Sequence, residues 1–182
     1  GIFLLREFEI KWFYQKGCSY IYPDEWENYK SIIPESEQSD FVSAYYKKLT
    51  SKNKKIRFQA ARRWAKWEAS TSKLMQDKKT LHHFDDTKTA EAFSRIECHY
   101  FTNKGFFEYD GWLLDNLNNL SSIPISIVQG RYDVVCPMQS AWDLHKKLPH
   151  SELFIIQDSG HSMLEPGIQK KLIKLTEVFS KY

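Results

Sequence analysis

The stretch from Ile123 to His161 limits the folds open to this chain more than any other. It begins with Ile123-Pro124-Ile125-Ser126-Ile127-Val128, an apolar run rich in β-branched residues and closed by Gly130, the pattern of a strand buried on both faces. Gln129-Gly130-Arg131-Tyr132-Asp133 then sets an acid just past it. After a helix-like interval over 137–148, a second run, Leu153-Phe154-Ile155-Ile156, ends in Asp158-Ser159-Gly160-His161. Strand, helix and strand in this order predict a parallel pair, and parallel strands covered by crossover helices belong to α/β folds.

Such a pair has chemical consequences. Active sites of open α/β sheets lie outside the carboxyl ends of the strands, where Asp133 and His161 both fall. An Asp there fixes the imidazole tautomer, and the imidazole acts as general base. Acid before histidine is also the α/β-hydrolase chain order, with the serine earlier. Asp133 as a helix cap and His161 as an ordinary loop residue is the plainer alternative, and the placement of both at strand ends weighs against it. No Gly-x-Ser-x-Gly elbow is present: Gly17-Cys18-Ser19 lacks the closing glycine, and Gly160-His161-Ser162 has histidine in the serine position. The chain opens on Gly1-Ile2-Phe3-Leu4-Leu5, which resembles the tail of a strand, so a C-terminal piece of a longer protein is expected.

Composition closes off other classes. Among 182 residues, 42% hydrophobic and 27% charged describe a globular chain, and a net charge of +3 with no basic stripe gives no nucleic-acid surface. The three cysteines, Cys18, Cys98 and Cys136, fit neither an even disulfide framework nor a Cys-x-x-Cys metal site, which favours a reduced, cytoplasmic protein. Apolar runs fall far short of the roughly 18 residues a membrane span needs. His82 and His83 are adjacent and poorly placed to share a metal, so neither metal nor other cofactor is expected.

Between the strand tail and Ile123 the pattern is helical and rich in aromatics. Helices are expected over 6–16, from Asp24 as a cap, from Ser36 or Ser39 through Leu49, over 55–75 and over 87–100, with turns at Asn103-Lys104-Gly105 and Asp110-Gly111 and a closing helix over 167–182. In the fourth helix the apolar stripe Ile56, Ala60, Trp64, Trp67, Thr71, Leu74 also contains Glu68. In the fifth, Ala90, Phe93 and Phe101 share their face with Glu97. Either glutamate alone could lie at a stripe edge and reach water. Two together are harder to place, because a buried acid is costly unless paired and Arg95 projects from a different face than Glu97. A cationic ligand would complete them.

Several of these segments match a known family. Gly1-Ile2-Phe3-Leu4-Leu5-Arg6, Trp12-Phe13-Tyr14-Gln15, Trp67-Glu68, Arg95-Ile96-Glu97-Cys98-His99-Tyr100-Phe101, Gly105-Phe106-Phe107-Glu108, Gly130-Arg131-Tyr132-Asp133-Val134-Val135-Cys136-Pro137 and Ser140-Ala141-Trp142-Asp143-Leu144-His145 resemble the proline iminopeptidases, or prolyl aminopeptidases. The resemblance implies the C-terminal part of an α/β-hydrolase, its last two parallel strands with their helices, preceded by an all-helical cap: 1–5 as a core-strand tail, 6–110 as cap, 111–182 as hydrolase core. It implies Asp133 and His161 as two members of a catalytic triad, and Glu68 and Glu97 as the groups that bind the ammonium of an N-terminal proline. Phe101, Phe3 and one of Phe13 or Tyr14, with Tyr14 preferred, would line the proline pocket, and Cys136 would lie near the site without being the nucleophile. The implied partners are peptides with a free N-terminal proline, with no nucleic acid and no membrane. Serine elbow and oxyanion loop would precede Gly1, so this chain alone is expected to be inactive. Other capped hydrolases acting on esters or epoxides are the nearest alternative, and a non-catalytic interaction module is the second.

Overall fold

In the computed structural model, residues 1–76 and 86–181 are described. They divide into two units. One is built from Gly1–Leu4, Ser72–Met75 and Gly111–Tyr182, the other from Leu5–Thr71 and Gln76–Asp110. The pair His82 and His83 lies outside the described residues.

The first unit holds a two-stranded parallel sheet, β1 (Ser126–Gly130) and β2 (Glu152–Ile156), in register from Ser126 opposite Glu152 to Gly130 opposite Ile156. β1 starts later than the apolar run suggests. Pro124 has no N–H for a ladder, and pairing begins only as the Glu152 N–H reaches the Ile125 carbonyl at 2.8 Å. Nor is the pair buried on both faces throughout: Ile127 is enclosed, whereas Leu153 through Ile156 are half-buried, β2 having β1 as its one ladder partner among the described residues. The stretch 1–5 forms no strand here, although the Ile2 N–H is held at 2.9 Å by the Gln129 side chain.

The crossover is the helix Met138–Lys147, which packs on both strands; a further helix, Pro166–Phe179, packs on β1. The second of these begins with Pro166, whose missing N–H costs nothing at a first helical position. Gly167 beside it leaves room for Ile156, since a Cβ would stand 2.6 Å from Ile156 Cγ2.

The second unit is helical. In chain order we label α1 (Glu7–Tyr14), α2 (Pro23–Lys30), α3 (Phe41–Leu49), α4 (Lys54–Thr71) and α5 (Thr87–Thr102). Caps explain most shifts from the expected boundaries. Asp24 sits in the first turn of α2 beside Pro23 at the start rather than at the cap, and Asp40, not Ser36 or Ser39, caps α3 by accepting the Ser43 N–H at 3.0 Å. α4 stops at Thr71, and 72–75 turns away to pair with the sheet unit, the Ser162 N–H donating to the Ser72 carbonyl at 2.8 Å.

α4 packs on α2, α3 and α5. Small residues let it approach α5 closely: Ala60, Ala61 and Ala90 are fully buried, and the Ser94 hydroxyl donates to the Ala61 carbonyl at 3.1 Å. Around this seam lies an aromatic core of Tyr29, Tyr45, Trp64 and Trp67, with Tyr29 stacked on Tyr45 at 4.4 Å and the Tyr45 hydroxyl bonded to the Tyr29 carbonyl at 2.6 Å. Rings of this size contribute both burial and edge or stacking contacts.

Candidate active site

Two clusters contain the residues singled out from the sequence, one in each unit. In the sheet unit the parallel ladder continues beyond the strands into the turns that carry the acid and the histidine. The Arg131 N–H donates to the Ile156 carbonyl at 2.9 Å and the Tyr132 N–H to the Ser159 carbonyl at 3.0 Å. This zipped edge brings His161 Nδ1 to 3.1 Å from Asp133 Oδ2 and 3.2 Å from Oδ1. An ionised carboxylate only accepts, so Nδ1 carries the proton and Nε2 presents a free lone pair. The Asp133 side chain is fully enclosed and that of His161 is 31% exposed, so the imidazole is open to solvent on one side. Asp158, the other acid at this edge, forms no hydrogen bond with His161 among the described residues.

The turn after Asp133 holds its carboxylate in turn. Oδ1 accepts the Cys136 N–H at 2.8 Å and the Val135 N–H at 3.1 Å. Cys136 thus touches the acid through its backbone, while its thiol is buried. Phe3 is half-buried in this unit.

Close backbone approach makes the zipped edge possible. A Cβ on Gly130 would stand 1.9 Å from the Gly160 carbonyl oxygen and 2.7 Å from that of Ser159. Backbone cannot yield as a flexible side chain does. In the intact protein Gly130→Ala is therefore expected to lower stability by at least the roughly 1–3 kcal/mol of an overpacked core, and to part Asp133 from His161. Urea denaturation and turnover, measured together, should both fall; an unchanged midpoint would refute the close-packing argument.

The helical unit holds the second cluster. Glu68 on α4 is 9% exposed, and its Oε1 accepts the hydroxyl proton of Tyr14 from α1. Glu97 on α5 accepts the Trp64 indole N–H at 2.9 Å. Tyr14 stacks on Trp64 at 4.4 Å, and Phe101 stands 5.2 Å from Tyr14 and 6.2 Å from Trp64, so aromatic rings bound the two carboxylates. Burial, and then the neighbouring Glu97, push the Glu68 carboxyl well above its ordinary range, with Tyr14 acting the other way. Burial also raises Glu97, to about 7, against the Trp64 hydrogen bond. Among the described residues neither forms an ion pair, and Arg95 is exposed and turned to Glu91 at 3.6 Å.

Tyr14 and Phe101 also line a cavity of about 360 Å³ within this unit, together with Ile10, Lys11, Asp40 and Tyr109. Phe13 meets the Tyr14 ring edge-on at 4.8 Å and packs on Trp67 at 5.3 Å, and Tyr14 rather than Phe13 lines this cavity. The buried face of α5 runs through Ala90, Ser94 and Cys98, which places Glu97 at its edge rather than its centre.

Comparison with known proteins supplies what geometry does not. The α/β-hydrolase family model described as TAP-like protein matches residues 88–173. A probable proline iminopeptidase of Leptolyngbya boryana is 56% identical over 98% of this chain and 56% of its own length. Proline iminopeptidase of Arabidopsis thaliana is 52% identical over 97% of this chain and 47% of its own length, and that of Neisseria gonorrhoeae 35% identical over 97% and 56%. The chain is homologous to the proline iminopeptidases. It spans about half the length of the relatives it matches.

Beyond what the proline iminopeptidase resemblance suggests, the geometry adds Gln129 and Glu165. Gln129 follows the apolar run that ends at Val128 and carries no signal of its own in the sequence. Glu165 is 7% exposed, and its carboxylate accepts the Gly160 N–H at 2.8 Å and the Leu74 N–H at 3.2 Å, clasping the histidine turn to 72–75. Its one sequence signal is an acid directly before Pro166, where a helix start is expected to need a cap.

Proposed function

We propose that this chain is the C-terminal part of a serine aminopeptidase that releases proline from the N-terminus of peptides. Its helical unit acts as the cap and its sheet unit as the end of the hydrolase core. His161 Nε2 takes the proton of a serine supplied by the rest of the protein as that serine attacks the prolyl carbonyl, and then gives it to the leaving amine. Asp133 holds Nδ1–H and stabilises the imidazolium that forms. Glu68 and Glu97 receive the substrate's ammonium, Tyr14, Phe101 and Phe3 contribute to the proline pocket, and Cys136 lies near the acid–base pair. A peptide with a blocked or internal proline brings no charge and would leave both acids desolvated and unpaired. The three cysteines, all free and buried, support a cytoplasmic setting. Among the described residues no helix is long and apolar enough to cross a membrane.

The observation that carries this proposal is the ring-bounded pair of buried Glu68 and half-buried Glu97, which has no cationic partner among the described residues. A neutral ester or epoxide offers nothing to complete it. The test is hydrolysis by the intact protein of proline arylamide, alanine arylamide and N-acetylproline arylamide. Cleavage of the first, slower cleavage of the second and none of the third are expected. Equal rates on the free and acetylated proline substrates would overturn the proposal.

A further inference from the structure

We propose that Gln129 is a positioning residue of the acid–base pair, acting through Asp133. This rests on the reading of Asp133 and His161 given above. Gln129 lies in β1 between Val128 and Gly130 and is fully buried. An amide at such a position costs stability unless its polar atoms are satisfied, and here all of them are. Oε1 accepts the Ile2 N–H at 2.9 Å, and Nε2 donates one proton to Asp133 Oδ2 at 3.1 Å and the other to the Cys136 carbonyl at 2.9 Å. Rotating the amide by half a turn would set its nitrogen against a donor and its oxygen against two acceptors, so the network fixes its orientation.

The division of labour on Asp133 gives Gln129 its role. Oδ1 is held by the N–H groups of Val135 and Cys136, which the turn itself supplies. Oδ2 accepts the Gln129 amide at 3.1 Å and lies 3.1 Å from His161 Nδ1, with the Gly1 nitrogen 3.7 Å away. Two backbone donors on Oδ1 set the carboxylate plane from the side of the turn. The Gln129 amide holds Oδ2 in that plane from the side of β1, so the direction of the Nδ1–H bond is fixed at both oxygens. Gln129 also grips the Cys136 carbonyl, so the acid and its turn move as one body with β1. Apolar packing in β1 needs none of this, and Leu or Met would fill the volume at least as well.

The intact protein with Gln129→Met and Gln129→Glu tests the proposal, with His161→Ala as control and thermal melts to verify folding. Loss of a hydrogen bond to a charged group predicts a fall in kcat of about 10- to 150-fold for Gln129→Met on proline arylamide, with KM little changed. Gln129→Glu sets a second negative charge beside Oδ2 and favours the imidazolium, so the acid limb of its kcat/KM profile should move up by about one pH unit or more. A residue that serves only packing would lower stability without moving that limb. Folded variants whose kcat and pH profiles match wild type, with His161→Ala inactive, would refute the role of Gln129 and leave the acid–base pair standing. An active His161→Ala variant would refute the pair itself. If one variant fails to fold, the other still decides, because each has its own readout.

Discussion

In the intact protein, His161→Ala should lower turnover by several orders of magnitude, and Asp133→Asn should do so by on the order of 10⁴, as when a serine-protease triad acid becomes its amide. The mechanism of the second loss can be read from the turn. The N–H groups of Val135 and Cys136, at 3.1 and 2.8 Å, point at one oxygen of residue 133 and would select the amide oxygen of an asparagine for that place. The asparagine NH₂ is then directed at His161 Nδ1. Two donors cannot share that bond, so the imidazole must adopt the tautomer with its proton on Nε2, and the base is lost. Asp158→Asn should have little effect, because Asp158 makes no hydrogen bond with His161. Steady-state kinetics on proline arylamide check all three; near-normal turnover of Asp133→Asn would move the orienting role to another acid.

The second large effect concerns Glu68 and Glu97. Each Glu→Gln change keeps the shape and removes the charge proposed to meet the substrate ammonium, a charge-assisted hydrogen bond worth roughly 1.5–3 kcal/mol. At RT of about 0.59 kcal/mol this is about 10- to 150-fold in kcat/KM for each site. A pH dependence accompanies it. With the Glu97 carboxyl raised to about 7 by burial, the empty site still holds protons near neutral pH, and the ammonium binds best once they leave. KM for prolyl substrates should therefore fall as pH rises through about 7 while the substrate amine stays protonated, and Glu97→Gln should flatten that fall. Stability runs the opposite way. Both acids bind protons more tightly folded than at their ordinary value of 4.5, so the folded state holds more protons across the interval above it. Stability then declines as pH rises from about 4.5 through about 7, and replacement by glutamine should reduce that decline. Urea titrations at pH 5 and pH 8 read the difference directly.

Much of this was legible in the sequence, for reasons that differ from residue to residue. Asp133 and His161 could be placed because strand ends in a parallel sheet face one edge, a rule of topology that needs no side-chain detail. Glu68 stood out by helical period alone, lying on the face of Trp64 and Thr71, and it is buried there. Glu97 is less legible by period: its helix buries Ala90, Ser94 and Cys98, so small and polar residues define the inner face and the larger Phe93 lies only half-buried beside it. Period analysis weights hydrophobicity, whereas a close helix crossing selects for small size. The cap of α3 passed from serine to Asp40 for a similar reason, as several capping residues in a row differ only in which one the backbone leaves extended. Gln129 and Glu165 carry no periodic signal because their partners, Ile2, Asp133 and Cys136 for the first and Leu74 and Gly160 for the second, are brought together by turns and distant segments that hydrophobic period does not describe.

Recognition of an ammonium group by Glu68 and Glu97 is what distinguishes the proposed aminopeptidase from other capped hydrolases. The most direct measurement is the ratio of kcat/KM for proline arylamide to that for a small neutral ester, such as p-nitrophenyl acetate, in the intact protein and in Glu68→Gln, Glu97→Gln and the double variant. Arylamide hydrolysis should fall by about 10- to 150-fold at each site while ester hydrolysis, which uses Asp133 and His161 but no ammonium contact, stays close to wild type. Equal losses on both substrates would assign the glutamates a structural role, and unchanged arylamide kinetics would show that they do not meet the substrate; either result contradicts the account.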